Sequence, residues 1–330
     1  GNGPNSAFSN AEIFPIKYSY GRTPGNGVPL GTHKWSIQAC DNSNTCTYST
    51  NHTVSVSYLT VVNQSYTPTV YETSAQYFEI NVQFDTTLYP NAFATFTYDG
   101  VTYTNVNKVV NGLNVKYSTY IDIPTTNTST AKSFHWNLYS NPSTLQDSTN
   151  TNQTVNPIAF SLCGGTGGSN AFVNMVYLDE NTLAPVNLSV LSSTFNYWIG
   201  NGTTYKSYFY SSGTNASFNN SFCFTPASIP TNLLFSNINY QYGINGVFPP
   251  RTFQTAAMIP PYLTLTNSSV NQNLYTLSVL ESSPITFQVI DQSSASVVPG
   301  ATVTITRNVA GSIVQVFSGL TDGAGTVNVW

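Results

Sequence analysis

The sequence predicts an all-β chain of tandem β-sandwich domains, and two observations carry that prediction. A strand–turn–strand unit occurs twice. His33-Lys34-Trp35-Ser36-Ile37 is followed, sixteen residues after its Trp, by Asn51-His52-Thr53-Val54, and Phe134-His135-Trp136-Asn137-Leu138 is followed at the same spacing by Asn152-Gln153-Thr154-Val155, the copies lying 101 residues apart. Helical periodicity is also missing throughout: no window of a dozen residues sustains apolar positions at helical spacing, while Thr, Val, Tyr and Phe, which favour strands, recur everywhere.

A period near 100 residues is the size of an immunoglobulin-like sandwich, and a Trp strand, polar turn and second strand read as the ending of one. Residues 1–60 therefore read as a partial immunoglobulin-like domain and 61–157 as a complete one. In the second, Phe78, Ile80, Val82 and Phe84 alternate with a mostly polar face, the period of a half-buried strand, and Asp99-Gly100 between Phe96-Thr97-Tyr98 and Val101-Thr102-Tyr103 is a strong hairpin signal. Residues 158–258 differ, with both faces of the run 172–178 apolar and aromatic pairs recurring; they predict a larger, disulfide-closed sandwich or jelly-roll-like domain. Pro249-Pro250 and Pro260-Pro261 mark its exit, because adjacent prolines cannot continue a ladder. Alternation returns at 285–289, 303–305 and 313–317 in a last domain, 259–330, that ends inside a strand-like run.

Charged residues make up 7 % of the chain, nine Lys and Arg against thirteen Asp and Glu, so its surface is one of amides and hydroxyls. A net charge of −4 offers no basic stripe, which argues against nucleic acid and against an anionic membrane surface as partners. No run approaches eighteen apolar residues, so no membrane span is predicted in this segment. So few carboxylates also change charge little as the pH falls, which suits an acidic or variable medium.

Four Cys permit three pairings. Cys40 and Cys46 flank the turn-rich 41–45, and the equivalent positions in the second copy, Asn141 and Asp147, lack both partners together, which predicts a local staple. Cys163 and Cys223 then close a loop of about 60 residues, worth on the order of 4 kcal/mol in the chain-entropy model. Two disulfides imply an extracellular chain.

No catalytic motif is present: there is no G-x-S-x-G, H-E-x-x-H or phosphate-binding loop, and His33, His52 and His135 read as surface residues. Asp179-Glu180 is the only adjacent acidic pair, and neighbours on a strand face opposite ways, which places them badly as acid and base. Asp179, Asp291 and Asp322 could meet surface Ca²⁺, but with no clustered ligand loop they read better as turn-stabilising residues, and no cofactor is implied. Lys108, Lys116 and Lys132 are the side chains to inspect for covalent Lys-to-Asn cross-links. N-glycosylation acceptors occur at Asn51, Asn63, Asn127, Asn152, Asn187, Asn201, Asn215, Asn219 and Asn267; chance alone gives about as many, so what favours modification is the charge-poor, extracellular setting.

Ile290-Asp291, then 298–304 with Pro299-Gly300, then Gly319 to Thr326 with Asp322-Gly323-Ala324-Gly325, resemble the carboxypeptidase-regulatory-like, transthyretin-like β-sandwich of bacterial and archaeal surface proteins. That resemblance covers about 70 residues and implies a non-catalytic module. The Trp-plus-Cys ending and the Asn, Thr and Tyr texture resemble archaeal surface-layer and surface-filament proteins. Together these point to a structural cell-surface protein that assembles with copies of itself, with other surface proteins or glycans as further partners. The alternative is an adhesin or glycan-binding module using Tyr197, Trp198, Tyr208 and Tyr210, although buried core aromatics are the better reading of all four.

Overall fold

The computed structural model describes residues 31–330 apart from 37, 41, 42, 44, 51, 57, 58, 85, 88, 142, 143, 165–170, 227–233, 259, 266 and 267. The chain is all-β, its strands paired into several separate sheets, and among the described residues the one helical element is the short 3-10 turn Thr255–Ala257. Its packing divides into two compact units: 1–65 with 79–119 and 135–150, and 66–78 with 120–134 and 151–330.

In the first unit, Gly31–Trp35 pairs antiparallel with His52–Val56, and Gln38–Cys40 with Cys46–Tyr48. Cys40 and Cys46 are directly opposite in that ladder. The side chains of Cys40, Trp35 and His33 lie outside the described residues. The strand Ala75–Gln83 shows the expected alternation, with Phe78, Ile80, Val82 and Phe84 all buried. Asp99 and Gly100 both take positive φ, 49° and 81°, as a two-residue hairpin between Phe93–Tyr98 and Val101–Tyr103 requires. Trp136 is fully buried, its ring centroid 4.8 Å from that of Phe96, which makes it a core anchor.

The second unit holds the large sandwich. One sheet orders Ala159–Leu162, Asn219–Thr225, Ala171–Asp179 and Val270–Thr276; the other orders Lys206–Tyr210, Ser189–Trp198, Leu234–Ile244 and Phe248–Gln254, with Leu263–Leu265 also on Leu234–Ile244. The Cys163–Cys223 disulfide closes the first sheet. The strands Leu263–Leu265 and Val270–Thr276, which a boundary at 258 assigns to the last domain, pair into these sheets, and Leu265 and Leu274 sit in this core. Pro249 and Pro250 do not end the ladder either. They lie within Phe248–Gln254, the edge strand, where the pairing slips by a bulge and missing N–H groups cost nothing. The last domain pairs Ile285–Gln288 with Thr326–Val329 and Thr302–Val309 with Ser312–Leu320. The turn 322–325 carries the chain from one of these sheets to the other.

The core of the large sandwich is aromatic and, at one end, phenolic. The hydroxyls of Tyr177 and Tyr240 are 2.6 Å apart, the Asn220 amide donates to Tyr177 at 2.7 Å, and the Tyr242 hydroxyl donates to the Tyr275 carbonyl at 2.9 Å. Burial pushes the Tyr177 phenol up to about 12 and raises those of Tyr240 and Tyr242 as well, because a phenolate has no solvent there. A pKa raised in the folded state adds stability that is complete below the ordinary phenol value near 10 and is lost as the pH rises beyond it. Ultraviolet titration is therefore expected to show these phenols ionising together with unfolding above pH 10. Normal ionisation near 10 with the fold intact would contradict the buried network.

Candidate functional site

With so few charges in the chain, a charge removed from water needs a reason, and three carboxylates of the second unit are buried: Glu72, Asp122 and Glu180. An unpaired buried carboxylate costs several kcal/mol, so each must collect donors.

Glu72 follows the short strand Thr69–Tyr71 and is fully buried. Its Oε1 accepts from the Ile158 N–H at 2.6 Å and from the Lys206 ammonium at 2.8 Å, and its Oε2 accepts from the Thr126 N–H at 2.5 Å. Lys206 spends its other two donors on the carbonyls of Ile158 at 3.1 Å and Thr126 at 3.2 Å. Four chain segments thus close one ring of hydrogen bonds in which every charge is satisfied.

Thr73, the next residue, is fully buried and holds φ 59°, a conformation that a β-branched residue adopts only when its surroundings enforce it. Its N–H donates to the Ile123 carbonyl at 2.8 Å, its carbonyl accepts from Gly200 at 2.8 Å, and its hydroxyl accepts from Ile199 at 3.1 Å. Gly200 is needed for its size: a Cβ there would lie 2.5 Å from the Ala75 nitrogen and 2.7 Å from the Thr73 carbonyl oxygen. Beside it, Asp122 accepts the N–H groups of Asn201 at 3.1 Å and Thr203 at 2.9 Å and the Thr203 hydroxyl at 2.7 Å. The strap 72–75, the strand end at 122–126 and the linker at 158 are thereby locked onto residues 199–206 of the large sandwich.

Glu180 makes a second lock. Its two oxygens accept from Arg251, which is buried, and from Arg307, which is half exposed and belongs to the last domain; Arg251 also donates to the Tyr275 carbonyl at 3.2 Å. Asp179, adjacent to it, faces the other way and caps a turn, accepting from the N–H groups of Asn181 and Thr182 at 3.0 and 2.8 Å. Asp291 and Asp322 are likewise engaged in turns. Hydrogen bonds from the Ser293 hydroxyl, and then from Ser294, hold the Asp291 carboxyl down at about 2, and the Thr326 N–H lowers that of Asp322. Among the described residues no three His, Cys, Asp or Glu side chains gather as metal ligands.

The other predicted positions are dispersed. Tyr197 is buried in the core, Trp198 faces the opposite side of the same strand against Phe235 and Tyr262, and Tyr208 and Tyr210 are half-buried against the core, so the four form no common platform. Lys108 donates to the Ala92 carbonyl at 2.6 Å, and Lys116 lies 3.6 Å from Glu79. Asn63, Asn127, Asn152, Asn187, Asn201, Asn215 and Asn219 are all exposed, whereas Asn51 and Asn267 lie outside the described residues. The Thr203 hydroxyl of the Asn201 acceptor triplet is the one held by Asp122.

No family model matches the chain, and no curated protein sequence matches it. Among solved structures, similarity extends to BcpA, the major pilin subunit of Bacillus cereus, at 9 % identity over 73 % of this chain and 77 % of that one, with a TM-score of 0.23. The N-terminal Ig1-2 module of the Drosophila receptor protein tyrosine phosphatase DLAR matches at 8 % identity over 55 % and 90 %, with a TM-score of 0.20. Chicken CNTN1 FN1-FN3 domains match at 11 % identity over 67 % and 76 %, also at 0.20. At such scores none of these likenesses bears on what the chain binds or assembles with.

Glu72→Gln removes one partner of a buried ion pair and is expected to destabilise the second unit by about 3 kcal/mol, read as a lower urea midpoint. Gly200→Ala is expected to lower the same midpoint, because two of the three atoms it meets are backbone and the third is the engaged Asp122 carboxylate. Wild-type midpoints for both variants would show that the lock carries no stability.

Proposed function

We infer that the chain is a structural subunit of an extracellular assembly, a filament or surface layer built from copies of itself, and that it works without catalysis or a cofactor. One observation carries this reading: the buried lock around Glu72, Thr73, Gly200 and Lys206, which devotes scarce charges and a strained residue to fixing remote segments of the second unit onto the large sandwich. An enzyme concentrates such groups in an accessible cleft, whereas here the Glu72 carboxylate is fully buried and its oxygens are taken up by two backbone N–H groups and the Lys206 ammonium. A protein that transmits force or holds a spacing needs this kind of joint.

The disulfide supports an oxidising compartment. The exposed acceptor asparagines suit N-linked glycans, which would solubilise a surface almost without charge. The domain plan of 1–60, 61–157, 158–258 and 259–330, with a carboxypeptidase-regulatory-like last module, belongs to the same reading, with the strands up to Thr276 packed into the third domain. So does the archaeal surface-protein texture.

Electron microscopy of the native cell surface, with the chain located by antibody, is expected to place it in a regular filament or lattice, and light scattering of the purified protein to show mass rising with concentration. A chain that stays monomeric and scattered over the surface would rule the reading out.

A further inference from the structure

The five-stranded sheet of the large sandwich has an outer face, and three of its strands set uncharged polar side chains there in two rows. Ladder register aligns Ser192, Gln241 and Thr252 in one row, and Asn239 beside Gln254 in the next. Their inward neighbours Ser193, Tyr240 and Phe253 are buried, so the rows stand on the side away from the core. A groove of about 430 Å³ runs over these rows, and its other wall is built from the last domain by Leu320, Asn328 and Trp330. That size lies within the range of small-ligand sites.

Three properties define what the groove can take. No Asp, Glu, Lys or Arg lines it, so it has nothing to hold a phosphate, a nucleic acid or an acidic sugar. Its amides and hydroxyls are largely unspent: Ser192 reaches Gln241 only at 3.5 Å, and the side chains of Asn239, Thr252 and Gln254 have no hydrogen-bond partner among the described residues. An amide presents donor and acceptor in one plane, which matches a pair of neighbouring hydroxyls. Finally, Trp330 and Leu320 are partly exposed at its rim, 38 % and 54 %, and offer apolar surface to the C–H face of a ring.

We propose that this groove is a binding site for a neutral oligosaccharide. The site is distinct from the four aromatics of the large sandwich, and it stands or falls independently of assembly, since a saccharide site serves an assembled or a solitary chain.

Calorimetric titration of the whole protein with a panel of neutral oligosaccharides, free polysaccharide fragments and neutral N-glycans alike, alongside sulfated and carboxylated counterparts, tests it. Neutral members are expected to bind, from either source, and acidic ones not. Gln241→Ala and Asn239→Ala are each expected to weaken binding about tenfold, the equivalent of one hydrogen-bonding side chain, and Trp330→Ala at least as much. All three side chains lie at the surface, so unchanged melting midpoints will separate lost binding from lost folding. The proposal is overturned if no neutral saccharide binds at millimolar concentration, if only the acidic set binds, or if binding survives all three substitutions.

Discussion

The Glu72 carboxylate governs the architecture of the second unit. A fully buried carboxylate must find donors of its own, and this one finds them on three segments remote in sequence: the Thr126 amide, the Ile158 amide and the Lys206 ammonium. Satisfying it fixes where the strand end at 122–126, the linker at 158 and the edge strand Lys206–Tyr210 meet. Thr73 can then be held at positive φ, and Gly200 can approach to backbone contact. Asp122 follows the same logic with backbone and hydroxyl donors in place of a cation.

Glu180 repeats the device with arginine. The planar guanidinium suits a buried carboxylate better than the compact ammonium, and Arg251 is correspondingly the more buried base, 3 % exposed against 21 % for Lys206. Buried pairs of this kind add little net stability over an apolar core, but they penalise every other arrangement. They therefore act as registry devices. The consequence for the surface is direct: a chain that places three of its described carboxylates inside and holds others in turns leaves an exterior of amides and hydroxyls.

What the sequence made legible is what short-range pattern encodes. Alternation at Phe78, Ile80, Val82 and Phe84, the Asp99-Gly100 turn, the disulfide-closed sandwich and the turn at 322–325 all follow from period two, turn chemistry and cysteine arithmetic. The locks do not, because their partners are 134, 81 and 127 residues apart and no local period connects them. One signal was available: in a chain with 7 % charge, an acid flanked by Tyr71 and Thr73 is out of place on a surface. The four aromatics could have been separated from sequence too, since Tyr197 and Trp198 are strand neighbours and must face opposite ways. Pro249-Pro250 misled for a topological reason, an edge position that no local sequence reveals.

The most direct measurement of the central claim is native-state hydrogen exchange at the amides of Thr126, Ile158, Asn201 and Thr203, all of which donate to Glu72 or Asp122. A lock that organises the unit predicts that these four loop amides exchange only through global unfolding, with the same free energy as the core strand Ala171–Asp179. Exchange at rates typical of exposed loops, with the core strand still protected, would contradict it.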